Sequence, residues 1–426
     1  MRTTSRPPAH RSDIDGLRAV AIIPVLLFHA HLPGWEGGFL GVDIFFVISG
    51  YLITRQLAHS PLTGAALLRA FYERRARGLL PILFVVILAT WTLSTLLSAF
   101  TPTGSRTLAR STVASLLFLQ NFNLWRTSGY WQTSADLSPL THVWSLAVEE
   151  QFYVLFPFLF ITRRFRRRQF AVVCAVAAAA LTSFAAGSMR LGIDPAGAFY
   201  LLPYRAWEIL AGSLVYFATS GDLIAQLEAP ILGRLTKVVR LISIGGIASS
   251  FAVADASSLH PGQMTGVVVL STATLIALPR TGDQVSRLLN HRLMHGIGVR
   301  SYGVYLWHFP MLAIARQISN GLIGPWTAAA IVVASFALAD VTWRTIETSH
   351  RDRRRVSSRH LTIRLAVGLT IITLTMAASL RLLTSDASGE IAALETQAHI
   401  PEVRDDYVEV DFDDAVSGAS IGVHER

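Results

Sequence analysis

Eleven stretches of this chain are apolar and almost free of charge: about 14–32, 38–57, 79–100, 143–161, 170–187, 201–218, 239–255, 264–280, 297–316, 325–345 and 363–383. A helix needs roughly 17–25 such residues to cross a hydrocarbon layer of about 30 Å, so each stretch predicts a spanning helix. Backbone groups in lipid are satisfied only in helices or closed barrels. Barrel strands are shorter, about 10 residues, and alternate in polarity, which these runs do not. The pattern therefore predicts an all-α integral membrane protein of eleven spanning helices. The apolar segment 111–124 is short and predicts a re-entrant or interfacial helix in the longest outer loop. No internal repeat is evident.

Composition agrees with this and excludes the other classes. Hydrophobic residues make up 52% of the chain and charged residues only 15%, against about 25% charged in soluble domains. That is too little charge to coat two or three soluble domains, and too much apolar sequence for a disordered chain. Cys174 is the only cysteine and lies in an apolar run. It excludes an intrachain disulfide and a cysteine metal site, no other metal site is indicated, and helix packing is its expected role.

The net charge of +9 hides a split. Residues 384–426 hold 11 acidic side chains against Arg404 and Arg426, leaving the rest of the chain at +18. The basic residues cluster on alternate loops: Arg69, Arg74, Arg75 and Arg77; the RRFRRR run at 163–168; Arg234 and Lys237; Arg287 and Arg292; and the RDRRR run at 351–355. The intervening loops hold only Arg106, Arg110, Arg126 and Arg190. Positive loops stay inside, so residues 1–13 are expected in the cytoplasm and an odd number of spans puts the acidic tail outside. Residues 384–426 read as a flexible, poorly folding tail. The basic clusters report orientation, and no aromatic–basic interleaving suggests a nucleic-acid partner. Arg2, Arg6 and Arg11 before an apolar run imitate a signal peptide. Arg18 interrupts that run and no small-residue cleavage motif follows, so an uncleaved first span is expected.

Ionisable residues inside such spans are functional candidates by default. Arg18 and His29 lie 11 residues apart, about three turns and roughly 16 Å along one helix face. Snorkelling accounts for an arginine near the start of a span but not for a histidine on the same face. Ser12-x-x-Asp15 reads as a capping box opening that helix. Asp43 opens the second span, where a helix N-terminus favours negative charge, and Gly37, Gly38 and Gly41 suggest a turn returning the chain toward His29. Arg74 and Arg77 are spaced i, i+3, two guanidinium groups on one face near a helix start, as an anion would require; composition alone favours reading them as ordinary inner-loop charge. His142, Ser145 and Glu149 form one stripe on the fourth span, with Glu150 and Tyr153 beside it. Some of these are expected to pair with Arg205 and Glu208 in the sixth span. Trp307 and His308 read as belt or packing residues. No phosphate-binding glycine loop, hydrolase elbow or zinc-protease motif occurs.

Taken in order, the strings DGLRAVAIIPVLLFHA, GGFLGVDIFFVISGYLIT, FYERRARGLLP, LTHVWSLAVEEQFYVLFP, FYLLPYRAWEILAG and SYGVYLWHFPML resemble the membrane acyltransferase-3 family over residues 12–350. The resemblance is closest to the branch that O-acetylates cell-surface polysaccharide and peptidoglycan. It implies an all-α membrane acyltransferase domain over 14–350, a ten-helix bundle, with an eleventh spanning helix at 363–383. It also implies a catalytic His29 paired with Arg18, an acyl-CoA donor bound through Arg74 and Arg77, and further polar positions at Asp43, His142, Ser145, Glu149, Glu150, Tyr153, Arg205 and Glu208. No permanently bound cofactor is implied; acetyl-CoA would be the donor substrate, a cell-envelope glycan the acceptor, and the inner (plasma) membrane the location. Members of that branch often carry an outer serine-hydrolase-like domain after the eleventh helix, whereas 43 residues follow here. A separate extracytoplasmic transferase, direct transfer or a truncated gene would each account for that. The segment TIETSHRDRRR departs from the expected valine–glutamate–x–proline pattern, though Glu347 keeps the acid. His29 would act as general base or as acyl-accepting nucleophile. A transporter or flippase fits the same composition, as does a non-enzymatic scaffold.

Overall fold

The computed structural model describes residues 10–97, 102–127, 135–162, 169–220, 230–255, 258–278 and 282–397. Every regular element among them is helical. The helices are α1 (Ser12–His29), α2 (Gly41–Ala58), α3 (Gly64–Leu96), α4 (Pro102–Leu116), α5 (Gln120–Thr127), α6 (Val143–Leu155), α7 (Gln169–Leu191), α8 (Pro195–Tyr200), α9 (Leu202–Thr219), α10 (Pro230–Val253), α11 (Gln263–Ala277), α12 (Gln284–Leu289), α13 (Arg292–Ile318), α14 (Pro325–Thr342), α15 (Thr348–Arg351) and α16 (Ser358–Gln397). Residues to Ser379 form one compact unit, and a second begins at Leu380.

Within the described residues, each predicted span overlaps one helix: α1, α2, α3, α6, α7, α9, α10, α11, α13, α14 or α16. By length and apolar composition, seven described helices can cross a membrane, those that contain α2, α3, α6, α7, α10, α14 and the first part of α16. Of the other four, α1, α9 and α13 carry ionisable residues of the polar interior, and α11 has only 15 residues. The chain is a multi-pass membrane protein.

Four local expectations change. Helix α1 starts without the capping box: its N-cap is Arg11 with no side-chain cap, and Ser12 Oγ instead donates to Asn290 Oδ1 at 2.5 Å. Asp15 faces His10 and His295 at 3.3 and 3.1 Å. Segment 111–124 is two helices, α4 and α5, broken at Phe118, which has φ 53°. Gln151 of α6 ties the break down by donating to the Phe118 carbonyl at 2.8 Å and to Asn121 Oδ1 at 2.8 Å. Helix α16 continues to Gln397, so 384–397 is helical where a flexible tail was expected; the remainder of that tail lies outside the described residues. Cys174 is exposed on α7 rather than packed inside the chain.

Lipid supplies little hydrophobic drive between helices, so close packing through small residues holds them together. The α2–α9 and α1–α13 pairs have the most extensive contacts. A Cβ at Gly50 of α2 would overlap the Ile209 carbonyl oxygen, and one at Gly212 of α9 would overlap that of Val47. Likewise Gly16 meets the Leu289 backbone and Gly298 of α13 meets the Asp15 backbone. The Gly298–Asp15 contact sets how closely α13 meets α1, and the Gly16–Leu289 contact seats α1 on α12.

Gly50→Ala is therefore expected to destabilise the solubilised protein by about 1–3 kcal/mol, the usual range for overpacking. Gly245→Ala, where nothing lies within 4 Å of the new methyl, should be neutral or slightly stabilising. Thermal unfolding of the two variants in detergent gives the comparison, and equal melting temperatures would contradict it.

Candidate functional site

Three histidines from different elements meet at one end of α1. His29 is the last residue of α1, His308 lies midway along α13, and His142 is the N-cap residue of α6 rather than part of that helix. His29 Nδ1 is 3.1 Å from His308 Nε2. The His142 ring stacks on Phe309 at 5.3 Å and lies edge-on to His308 at 5.7 Å. His308 is 0% exposed and His142 2%, whereas His29 is only partly buried; it is the most exposed of the three. Pro310 has no N–H to offer the Leu306 carbonyl one turn back, and the His142 ring neighbours that carbonyl. Arg316, buried on α13, donates through Nη2 to the His29 carbonyl oxygen, while its Nη1 has no hydrogen-bond partner. Asp136 is its nearest acidic influence.

A cavity of about 430 Å³ lies between α1, α2, α3, α6, α13 and α15. Five arginines line it: Arg18, Arg74, Arg75, Arg77 and Arg351. Three of them are held by the protein. Arg75 pairs with Glu150 at 2.6 Å and covers the Tyr153 ring at 4.1 Å. Arg77 is 2% exposed; it bonds Glu73 at 2.9 Å and the carbonyls of His350 and Val356 at 3.1 and 2.6 Å, tying α3 to the segment after α14. Arg351 is paired with Glu347, the end of a single π-helical turn at Trp343–Glu347. Arg18 and Arg74 make no hydrogen bond or ion pair among the described residues, so two guanidinium groups face the cavity unneutralised.

Polar groups continue toward the histidines. Glu149, in the cavity wall, accepts from Ser49 at 3.1 Å and from Tyr153 at 3.3 Å. Ser145 and Tyr305 share a 2.7 Å hydrogen bond, and the Tyr305 hydroxyl also reaches the His142 carbonyl at 2.7 Å. Ser145 and Tyr305 line the cavity on one side, and Tyr305 packs against the His142 and His308 rings on the other, at 5.4 and 5.6 Å.

Asp43, Arg205 and Glu208 form a separate, dry cluster. The Arg205 guanidinium donates to Asp43 at 2.5 Å and Glu208 at 2.6 Å, all three 0% exposed. Phe46, Trp144 and Phe199 surround it at 5.4, 5.6 and 5.5 Å. His260, in the loop before α11, approaches Asp43 at 3.5 Å. Burial, and then the Arg205 charge, holds its imidazole well below the usual histidine range. The expected partnership of Arg205 with the α6 carboxylates does not form: Glu149 and Glu150 face Ser49, Tyr153 and Arg75 instead.

Sequence reasoning thus singled out His29, Arg18, Arg74 and the α6 stripe, and missed His308, Tyr305, Arg316 and Arg351. His308 was read as a packing residue because its partner is 279 positions away. Among the described residues, no group of three or more His, Cys, Asp or Glu side chains is arranged to hold a metal ion.

Fold and site together define a multi-pass helical membrane protein with an arginine-lined cavity backed by histidines. Residues 11–344 match the family described as "Acyltransferase domain", and the chain belongs to that family. It is 30% identical over 365 residues to peptidoglycan O-acetyltransferase OatA of Listeria monocytogenes, covering 82% of this chain and 57% of that protein. It is 28% identical to putative peptidoglycan O-acetyltransferase YrhL of Bacillus subtilis, covering 80% and 55%. It is 29% identical to O-acetyltransferase OatA of Staphylococcus aureus, covering 81% and 58%. The chain therefore spans a little over half the length of these relatives. No solved structure matches it at a significant level.

Proposed function

We propose that this protein is a membrane O-acyltransferase that moves an acetyl group from cytoplasmic acetyl-CoA to a hydroxyl of a cell-wall glycan across the inner (plasma) membrane. Its N-terminus would face the cytoplasm and its C-terminal tail the outside. The observation that carries this reading is the pair of unneutralised arginines, Arg18 and Arg74, in a cavity whose far wall backs onto His29. Coenzyme A bears several phosphate charges, and charge-assisted bonds to guanidinium are the strong ones. The cavity arginines also come from the helix ends that the loop-charge asymmetry assigns to the inside. The relatives' names supply the glycan and the acetyl group.

In this scheme the thioester arm extends from the arginines past Ser145 and Tyr305 toward His29. The acceptor hydroxyl oxygen attacks the thioester carbonyl carbon while His29 takes the hydroxyl proton. The carbon–sulfur bond breaks as the ester bond forms, and the thiolate receives that proton to leave as free coenzyme A. The glycan hydroxyl is acylated directly, or through a separate extracytoplasmic transferase acting as partner.

Purified protein in vesicles, given acetyl-CoA labelled in the acetyl group and a membrane glycan, should label the glycan. Absence of label together with absence of coenzyme A binding would overturn the reading in favour of a transporter. Arg74→Ala and Arg18→Ala should each weaken coenzyme A binding about tenfold or more, since a hydrogen bond to a charged group contributes roughly 1.5–3 kcal/mol. The wild-type affinity should fall with added salt. Titration calorimetry reads both effects, and unchanged affinity in both variants would remove the cavity from the donor site.

A further inference from the structure

We infer that His308 is a positioning residue that fixes the tautomer of His29, keeping the proton on Nδ1 and presenting the bare Nε2 to the substrate. The inference rests on the reading of His29 as proton acceptor, but the geometry behind it does not. His308 Nδ1 lies 3.1 Å from the Val304 carbonyl oxygen, one turn back on α13. A carbonyl oxygen only accepts, so that nitrogen carries the hydrogen. With one proton on the ring, His308 Nε2 is left as an acceptor, and the atom facing it at 3.1 Å is His29 Nδ1. His29 Nδ1 therefore donates, and the lone pair of the His29 ring is on Nε2.

The arrangement is held from several sides. His308 is fully buried, with the Tyr305 and His142 rings packed on it at 5.6 and 5.7 Å. The Phe309 ring meets His29 edge-on at 4.8 Å. The backbone contact of Gly298 with Asp15 sets α13 close against α1, so the spacing of the two histidines does not depend on the histidines alone. The carbonyl of His29 is meanwhile tied by Arg316. Of the polar atoms on His29, the Nε2 lone pair is the one left for chemistry. It receives the proton of the acceptor hydroxyl as the ester bond forms, and returns it to the departing thiolate as the carbon–sulfur bond breaks.

The test pairs an activity-free readout with two variants of the full-length protein in lipid. With ¹⁵N-labelled histidine, the His29 signals, identified by their loss in His29→Ala, should show a protonated Nδ1 and a bare Nε2 in the wild type. A protonated Nε2 in the wild type would overturn the inference. His308→Leu should mix or reverse the two signals and lower kcat for acetyl transfer about 10²-fold or more, leaving KM for acetyl-CoA unchanged. His308→Gln, whose Oε1 reaches the place of the imidazole acceptor, should restore the wild-type signals and most of kcat, a rescue that a packing role would not produce. Wild-type kcat in folded His308→Leu would also overturn it. If the wild type transfers no acetyl group, the acyltransferase reading fails, and the ¹⁵N spectra still decide the tautomer.

Discussion

His29→Ala is expected to lower acetyl transfer by about 10²–10⁴-fold, the range a positioned general base contributes, while the protein stays folded and still binds coenzyme A. The side chain of His29 has one hydrogen bond, to His308, and the tie from Arg316 goes to its backbone carbonyl, which alanine keeps. Little stability is therefore lost. His29 does not line the arginine cavity, so the donor affinity should be unchanged. This separates His29 from Arg18, which sits three turns away in the cavity wall and should act on binding. Rates in vesicles and coenzyme A titrations on the same preparation give both numbers. A His29→Ala protein that transfers normally would end the catalytic assignment. One that has lost coenzyme A binding as well would show that the cavity and the histidines are not separable.

The second large effect is on stability. Arg205→Leu should cost about 3–5 kcal/mol, because it leaves the carboxylates of Asp43 and Glu208 fully buried with no other arginine or lysine paired to them among the described residues. All three side chains are 0% exposed, and the aromatic rings around the guanidinium offer nothing to a carboxylate. Arg300→Leu makes the comparison. Its partner Asp340 is about one-third exposed and keeps Arg344 at 2.7 Å, so the loss should stay within about 1 kcal/mol. Thermal unfolding in detergent reads the difference; similar melting temperatures would mean that the Asp43–Arg205–Glu208 cluster is hydrated or replaceable. Replacing all three residues together with apolar ones of similar volume should recover much of the loss, since the burial of the charges is itself costly.

The cluster also shows where reasoning along the chain stops. Arg205 and Glu208, three residues apart on one helix, pair as their spacing suggests. The third member, Asp43, lies 162 positions away, and nothing local distinguishes it from the α6 carboxylates as a partner. Arg75 was one of four inner-loop arginines by position, and only packing turns it onto Tyr153 and Glu150. Arg77, half of the anion-binding pair expected from spacing, is instead engaged with backbone carbonyls beyond α14.

Runs of apolar residues, the alternation of arginine between loops and the i, i+3 spacing of polar side chains all act over a few turns of one helix. The all-α membrane class, the apolar segments on which long helices fall and the selection of Arg18, His29 and Arg74 as candidates could be read from the chain alone for that reason. Which buried polar group meets which is decided between helices. It depends on the angle and depth at which α1 meets α13 and α2 meets α9, and those are set by backbone contacts at Gly298, Gly50 and Gly212. A glycine in a sequence does not say which carbonyl it will touch. The meeting of His29 with His308, on which the proposed chemistry rests, therefore belongs to the tertiary structure.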